Sequence, residues 1–114
     1  MGPALSMPYD GMRYIGPAIA SFADGATEDV FDGRDSRRAR QACPAALWRV
    51  AQRKLDQLNR AADLRALAVP PGNRLERLKG GSRERWSVRI NEKVRVCFTW
   101  EEGHAYDVEI TDDH

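Results

Sequence analysis

A chain of 114 residues with a formal net charge of +1 at pH 7 has the length of one domain with a single modest core. Hydrophobic residues make up 42% and charged residues 31%, which is typical of a soluble globular protein and excludes an intrinsically disordered one. No apolar run approaches the roughly 20 residues of a membrane-spanning helix, and the N-terminus lacks the pattern of a secretory signal. Two cysteines, Cys43 and Cys97, are too few for a disulfide scaffold and indicate a reduced, cytoplasmic setting.

The charges are segregated along the chain, although their sum is close to zero. Residues 1–33 carry one basic and five acidic side chains, residues 34–95 carry seventeen basic and six acidic ones, and residues 96–114 carry six acidic and no basic ones. A local basic surface governs phosphate binding more than net charge does. The middle of the chain therefore permits a nucleic-acid partner, although arginines on a predicted helix there are expected to be only solvated.

The N-terminal third is predicted to be an extension followed by short elements. Proline and glycine interrupt residues 1–17, which we expect to form a flexible extension, so that residues 18–114 form the single domain. Residues 18–22 suit a first strand at a sheet edge. Asp24 is placed to cap a helix that runs to about Phe31 and ends at Gly33. Arg34 to Arg40 is predicted to be a turn or a short helix.

The clearest helix is predicted from about Ala45 to Ala61, after Pro44. Its apolar stripe has helical spacing and is expected to be core, packed against a sheet: Leu47, Ala51, Leu55 and Leu58. One helical turn at residues 63–67 and a rigid turn at residues 69–73 are predicted to follow and to deliver the chain into that sheet at Arg74.

Alternating residues near the C-terminus predict an antiparallel hairpin, Trp86 to Ile90 and Val94 to Phe98, around a turn at Asn91 and Glu92. The buried face is predicted to carry Trp86, Val88, Ile90, Val94, Val96 and Phe98. The opposite face is predicted to carry Ser87, Arg89, Arg95, Cys97 and Thr99. A third alternating run predicts another strand, with Ala105, Asp107 and Glu109 on one side and Tyr106, Val108 and Ile110 on the other. Trp86 and Trp100 flank the hairpin, and core packing is expected for both.

The order of elements predicts an α+β fold, β-α-α-β-β-β, in which two helices pack on one face of a small, curved, mostly antiparallel sheet. Arginines on adjacent strands of such a sheet can hold one phosphate from two sides. Arg89 and Arg95 lie on either side of the predicted turn and are the first candidates for this role; the alternative is a solvated pair on a polar face.

The chain resembles the HigB-type toxins of the RelE superfamily over about residues 18 to 114. The likeness rests on an ordered set of motifs: SFADGATEDVF, PPGNRLERLKG, WSVRIN, VRVCFTW and DVEITDDH. The resemblance implies a RelE-like fold and a small ribosome-dependent mRNA endonuclease that inhibits translation. It also implies a HigA-type helix-turn-helix antitoxin as partner, with the ribosome and mRNA as targets, no membrane, and DNA only indirectly through the antitoxin complex.

The resemblance also implies the candidate site. Arg95 matches an arginine that contacts the scissile phosphate, Lys79 matches a basic residue of the same cleft, and the terminal His114 matches a candidate acid or base, with Asp112 beside it. Histidine can serve either role near neutral pH. Further RNA-binding candidates are Arg77, Arg83, Arg85 and Lys93. No cofactor is expected, and no metal, because no ligand spacing supports one.

Two positions depart from the family pattern. Asp113 stands where an aromatic residue usually precedes the final histidine, which removes a base-stacking surface and adds negative charge near RNA. Glu76 stands where several relatives carry histidine, so it either transfers protons itself or forms a surface ion pair with Arg74 or Arg77. These departures keep open a catalytically inactive antitoxin- or RNA-binding module of the same fold.

Overall fold

The computed structural model describes residues 17–80 and 84–112. The predicted N-terminal extension, apart from Pro17, lies outside the described residues. The helices are α1 (Gly25–Asp32), α2 (Arg37–Ala42) and α3 (Trp48–Arg60), with short 3₁₀ helices at Ala45–Leu47, Leu64–Ala68 and Pro71–Asn73. The strands are β1 (Glu76–Leu78), β2 (Arg85–Arg89), β3 (Val94–Glu101) and β4 (His104–Asp112).

Helix α1 begins and ends where the sequence predicts. The Asp24 side chain accepts a hydrogen bond of 2.7 Å from the backbone N–H of Thr27, which satisfies a donor that the first helical turn leaves free. Gly33 ends the helix with φ of 75°, a left-handed conformation that glycine adopts without steric cost.

Helices α1 and α2 are joined by a buried carboxylate that the sequence does not reveal. Asp29 is 4% exposed and accepts hydrogen bonds of 2.6 Å from Ser36 Oγ and 2.7 Å from Arg38 Nε. The hydrogen bond from Arg38, followed by that from Ser36, lowers the pKa of Asp29 to about 2. Because Ser36 also caps α2 by accepting from the N–H of Ala39, one side chain fixes where the second helix starts.

Helix α3 supplies much of the core. Its predicted stripe is buried at Ala51, Leu55 and Leu58, each 0% exposed. These side chains pack against Val88, Val96 and Phe98 of the sheet, as expected for an amphipathic helix on one sheet face. Regular α-helix starts only at Trp48, because residues 45–47 form a 3₁₀ turn after Pro44.

The strands form one antiparallel sheet in the order β1-β2-β3-β4. The predicted hairpin is confirmed: Trp86 pairs with Phe98, Val88 with Val96, and Arg89 with Arg95. Its turn is held by Asn91, whose side-chain oxygen accepts hydrogen bonds from the N–H groups of Lys93 and Val94. Strand β1, which pairs Glu76 with Ser87, adds a strand that alternation alone did not predict, because three residues show too little periodicity.

A β-bulge corrects the predicted face of Tyr106. Cys97 pairs with Glu109, but Thr99 pairs with Tyr106, so β4 contains one extra residue over this interval. Asp107 is at the bulge, and its φ of 53° is in the left-handed region. Residues opposite each other in a register share a face, so Tyr106 lies on the side of Thr99, whereas Ala105 is part of the core cluster.

The segment of residues 18–22 is not a regular strand but lies beside β4 in parallel, through isolated bridges of Ile19 with Ala105 and Phe22 with Val108. Within the described part of the chain, no helix is both long and apolar enough to span a bilayer.

The turn before β1 is fixed by Asn73, which is fully buried and accepts a hydrogen bond from Lys54 of α3.

Candidate functional site

The sheet has a second face, turned away from the helices, that we call the arginine face. It is defined by Arg85, Ser87 and Arg89 of β2 and Arg95, Cys97 and Thr99 of β3. Their shared side follows from the register, in which Arg85 pairs with Thr99, Ser87 with Cys97 and Arg89 with Arg95. Its centre is covered, since Ser87 is 0%, Cys97 8% and Thr99 1% exposed.

Arg95 is held in a defined position on the arginine face. Its Nη1 donates a hydrogen bond of 2.9 Å to Ser87 Oγ, and its Nη2 lies 3.3 Å from Glu76 Oε1. The Arg95 side chain is only 12% exposed, whereas that of Glu76 is 48% exposed. A guanidinium with two fixed contacts loses less conformational freedom when an anion binds than a freely rotating one would.

Arg89 lies directly opposite Arg95, as predicted. Within residues 17–80 and 84–112, Arg89 forms no ion pair. Its charge also acts on Lys54: burial, followed by the charges of Arg53 and Arg89, lowers the pKa of that lysine. Lys54 itself is in helix α3, where it is 8% exposed and donates a hydrogen bond to Asn73, so it is not part of the arginine face.

Arg85 lies at the other end of β2 on the same face. Its Nη1 donates a hydrogen bond of 3.3 Å to Thr99 Oγ1, and its Nη2 is 4.0 Å from Glu109 Oε1. The arginine face thus carries guanidinium groups at both ends, with Ser87 and Thr99 hydroxyls between them.

The other predicted residues lie around this face or away from it. Arg77 pairs in register with Trp86, which places it on the helix side, and its Nη2 is 3.4 Å from Glu84. Lys79 follows the end of β1 in the direction that leads away from the Arg89–Arg95 pair, and it is exposed. Lys93 is exposed in the β2–β3 turn, and Asp112 is exposed where β4 ends opposite Val94. His114, Asp113 and Arg83 lie outside the described residues.

Glu76 has a different partner from those considered on sequence grounds. Instead of Arg74 or Arg77, its carboxylate pairs with Arg95, because β1 places Glu76 level with Ser87 on the same face. Ser87 is a further member of the site that was not predicted from the sequence. Its spacing of two residues from Arg89 indicates that both side chains lie on the same face of the strand.

The chemistry available on this face is recognition of an anion by guanidinium groups, which the buried hydroxyls of Ser87 and Thr99 hold in place. Planar guanidinium donors match the oxygens of a phosphate. Across the described ranges, no three histidine, cysteine, aspartate or glutamate side chains come together in an arrangement that could hold a metal ion.

Comparison with known proteins gives a consistent answer. A family model described as a RelE-like toxin of the type II toxin–antitoxin system HigB matches residues 20–114. Toxin HigB-1 of Vibrio cholerae serotype O1 (strain ATCC 39315 / El Tor Inaba N16961) is 34% identical over 84 residues, which cover 74% of this chain and 85% of that protein. An uncharacterized protein of Haemophilus influenzae (strain ATCC 51907 / DSM 11121 / KW20 / Rd) is 31% identical over 62 residues, 54% of this chain and 61% of that protein.

An antiparallel sheet with helices on one face and arginines on the other, together with these matches, defines the class as RelE-like toxins. The chain belongs to the HigB-like toxin family of type II toxin–antitoxin systems. The resemblance that the sequence motifs indicated is confirmed, as is the α+β fold.

Proposed function

We propose that this toxin is a ribosome-dependent mRNA endonuclease that acts in the cytoplasm and cleaves without a metal, through attack of a ribose 2′-hydroxyl on the adjacent phosphate. The observation that carries the proposal is Arg95: its guanidinium is fixed by Ser87 and Glu76 on the arginine face, directly across from Arg89. Two guanidinium groups in register can neutralise the charge that develops on a phosphate in the transition state.

The remaining steps are proton transfers. The 2′-hydroxyl must lose a proton and the departing 5′-oxygen must gain one. We assign these to His114 with Asp112, and to Glu76 if its carboxylate is released from Arg95. Lys79, Arg83, Arg85 and Lys93 are proposed as further contacts to the RNA backbone, whereas Arg77, on the helix side of the sheet, is left out of this set. Few acid–base groups suffice if the ribosome positions the substrate, since orientation alone lowers a barrier substantially.

Growth arrest after induction tests this assignment. Arg95→Ala is expected to lower cleavage about 10²–10³-fold, the usual cost of removing one preorganised donor to the transition state. A chain that ends at Asp113 is expected to be impaired as well. Arg65→Ala is the control, because the Arg65 side chain is 93% exposed and pairs with the nearby Asp63. If both site variants arrest growth as well as the parent does, the assignment is wrong.

A second candidate is a binding module that cuts nothing. It is favoured by the carboxylate of Glu76, which already neutralises Arg95, and by the acidic Asp113 in the tail. Primer extension on mRNA from induced cells separates the two candidates. New 5′ ends inside coding regions are expected for the endonuclease, and their absence despite growth arrest supports the binding module.

We further propose a HigA-type helix-turn-helix antitoxin as the partner that neutralises the toxin, with DNA bound only through that antitoxin. Membership of a type II toxin–antitoxin family supports a protein antitoxin. Co-expression of this chain with the product of a neighbouring helix-turn-helix gene is expected to restore growth and to yield a complex on co-purification.

A further inference from the structure

Tyr106 is on a different side of the sheet from the one that alternation predicts. Without the bulge, Tyr106 would share a face with Val108 and Ile110, both of which are in the core. The extra residue at Asp107 exchanges the two positions, so that the small Ala105 enters the core and the aromatic ring moves to the arginine face.

The bulge is maintained by specific contacts. Asp107 has φ of 53°, a left-handed conformation in which residues other than glycine are uncommon. Its backbone N–H donates a hydrogen bond of 2.9 Å to Ser21 Oγ, and the next N–H, that of Val108, donates to the carbonyl of Ser21. Bulges recur near functional sites because they redirect a side chain, and a held left-handed residue is a reason to look for a function there.

The ring lies in one row with a basic residue. Tyr106 pairs with Thr99, and Thr99 pairs on its other side with Arg85, so these three residues form one row across β4, β3 and β2. Arg85 donates a hydrogen bond to Thr99 Oγ1. Two interstrand spacings place Tyr106 and Arg85 about 10 Å apart, and four residues along β3 place Arg95 about 13 Å from this row.

A second ring extends the aromatic surface. His104 is exposed, and its ring centroid lies 6.3 Å from that of Tyr106, with an angle of 55° between the planes. Tyr106 itself remains partly exposed. A partly exposed aromatic ring on the same sheet face as guanidinium groups is a combination with which proteins hold single-stranded nucleic acid: cations follow the backbone and the ring stacks on a base.

We propose that Tyr106 is a base-stacking residue, which packs its ring against a nucleobase of the RNA strand whose phosphates Arg85 and Arg95 contact. The inference rests on the proposed function, because it assigns a base position to the same strand of RNA.

Binding of a short RNA that cannot be cleaved tests the inference without any need for catalysis. The ligand is a 2′-O-methyl trinucleotide, whose 2′-oxygen carries no proton and cannot attack the phosphate. Three counterparts each lack one base and retain all phosphates. Affinities for the purified toxin are measured by NMR titration, which tolerates weak binding.

The parent is expected to bind the complete trinucleotide about tenfold more tightly than one of the three abasic counterparts, within the range for stacking of one base on an aromatic ring. Tyr106→Leu, with a side chain of similar size and no ring, is expected to abolish that difference. Tyr106→Phe is expected to keep it within about twofold, because the ring remains. The melting temperatures of both variants show whether the change in affinity is accompanied by a loss of folding.

Arg85→Gln provides the contrast, since loss of a phosphate contact is expected to weaken all four ligands by the same factor. The inference is overturned if the parent does not distinguish the complete trinucleotide from any abasic one, or if folded Tyr106→Leu retains the full difference. Cleavage on programmed ribosomes is a separate readout. If the parent shows the base-dependent difference but does not cleave ribosome-bound mRNA, the stacking site is supported and the nuclease assignment is rejected.

Discussion

At the scale of single residues, Arg95 combines low exposure with a carboxylate partner. Its side chain is 12% exposed and its Nη2 lies 3.3 Å from Glu76 Oε1, so a phosphate bound there as proposed would compete with that carboxylate for the same donors. Because the Glu76 side chain is 48% exposed, solvent screens the pair and its strength is that of a surface ion pair, about 0–1 kcal/mol. An interaction of this size regulates affinity without preventing binding.

Glu76→Gln is therefore expected to lower the KM for cleavage of ribosome-bound mRNA by up to about fivefold, since it removes the competing charge and keeps the side-chain shape. Glu84→Gln is the matched control: it breaks a similar ion pair, 3.4 Å from Arg77, on the opposite face of the sheet, and it is expected to leave KM unchanged. The measurement is the rate of cleavage against the concentration of programmed ribosomes. A loss of kcat in Glu76→Gln would instead assign proton transfer to this carboxylate.

At the scale of secondary-structure elements, two contacts hold the helical layer that supports the arginine face. Asp29 joins α1 to the start of α2, and Leu55 anchors α3 in the core. The first contact depends on pH and the second does not, which allows them to be measured separately.

The contribution of Asp29 to stability is expected to depend on pH. Its pKa in the folded protein is about 2, below the ordinary value of 3.8, so its ionised form is favoured by folding and stabilises the protein above pH 4. That stabilisation is expected to be lost progressively as the pH falls from about 4 to 2. The test is urea unfolding of the parent and Asp29→Asn between pH 2 and 6. A difference between them that stayed constant over this range would contradict the prediction.

Leu55→Ala is expected to reduce the free energy of unfolding by about 2–5 kcal/mol, because the side chain is fully buried and its removal leaves a cavity. The exposed neighbour provides the comparison: Asp56→Ala on the solvent side of α3 is expected to change it by at most about 0.5 kcal/mol. Urea denaturation with constant m-values would measure both. Equal effects of the two substitutions would show that α3 does not pack on the sheet through Leu55.

At the scale of the whole molecule, the hairpin brings Arg85, Arg89 and Arg95 onto one face of the sheet. The acidic residues of positions 96–112 lie at the end of β3, in the turn that follows and on β4. A protein with a formal net charge of only +1 thus presents a basic region that the total charge does not reveal.

Binding of the toxin to ribosomes is expected to weaken about tenfold or more between 50 and 200 mM salt, since each arginine–phosphate contact releases counterions. Sedimentation of the toxin with ribosomes at increasing salt concentration would measure this dependence, and Arg95→Ala is expected to reduce its slope. Binding that did not respond to salt would argue for a predominantly apolar contact with the ribosome.

The sequence alone determined the α+β class, the cap and end of α1, the buried stripe of α3 and the pairing of Arg89 with Arg95, because each follows from local spacing and from the chemistry of neighbouring residues. Its motifs also indicated the family. Tertiary structure decided which residues separated in the sequence meet: Glu76 with Arg95, Asp29 with Arg38, and Tyr106 with the arginine face. The last of these depends on one extra residue in β4, held by Ser21 from the far end of the domain. The alternation of apolar and polar residues does not indicate such a contact, and a bulge places every residue beyond it on the opposite face from the one that alternation predicts.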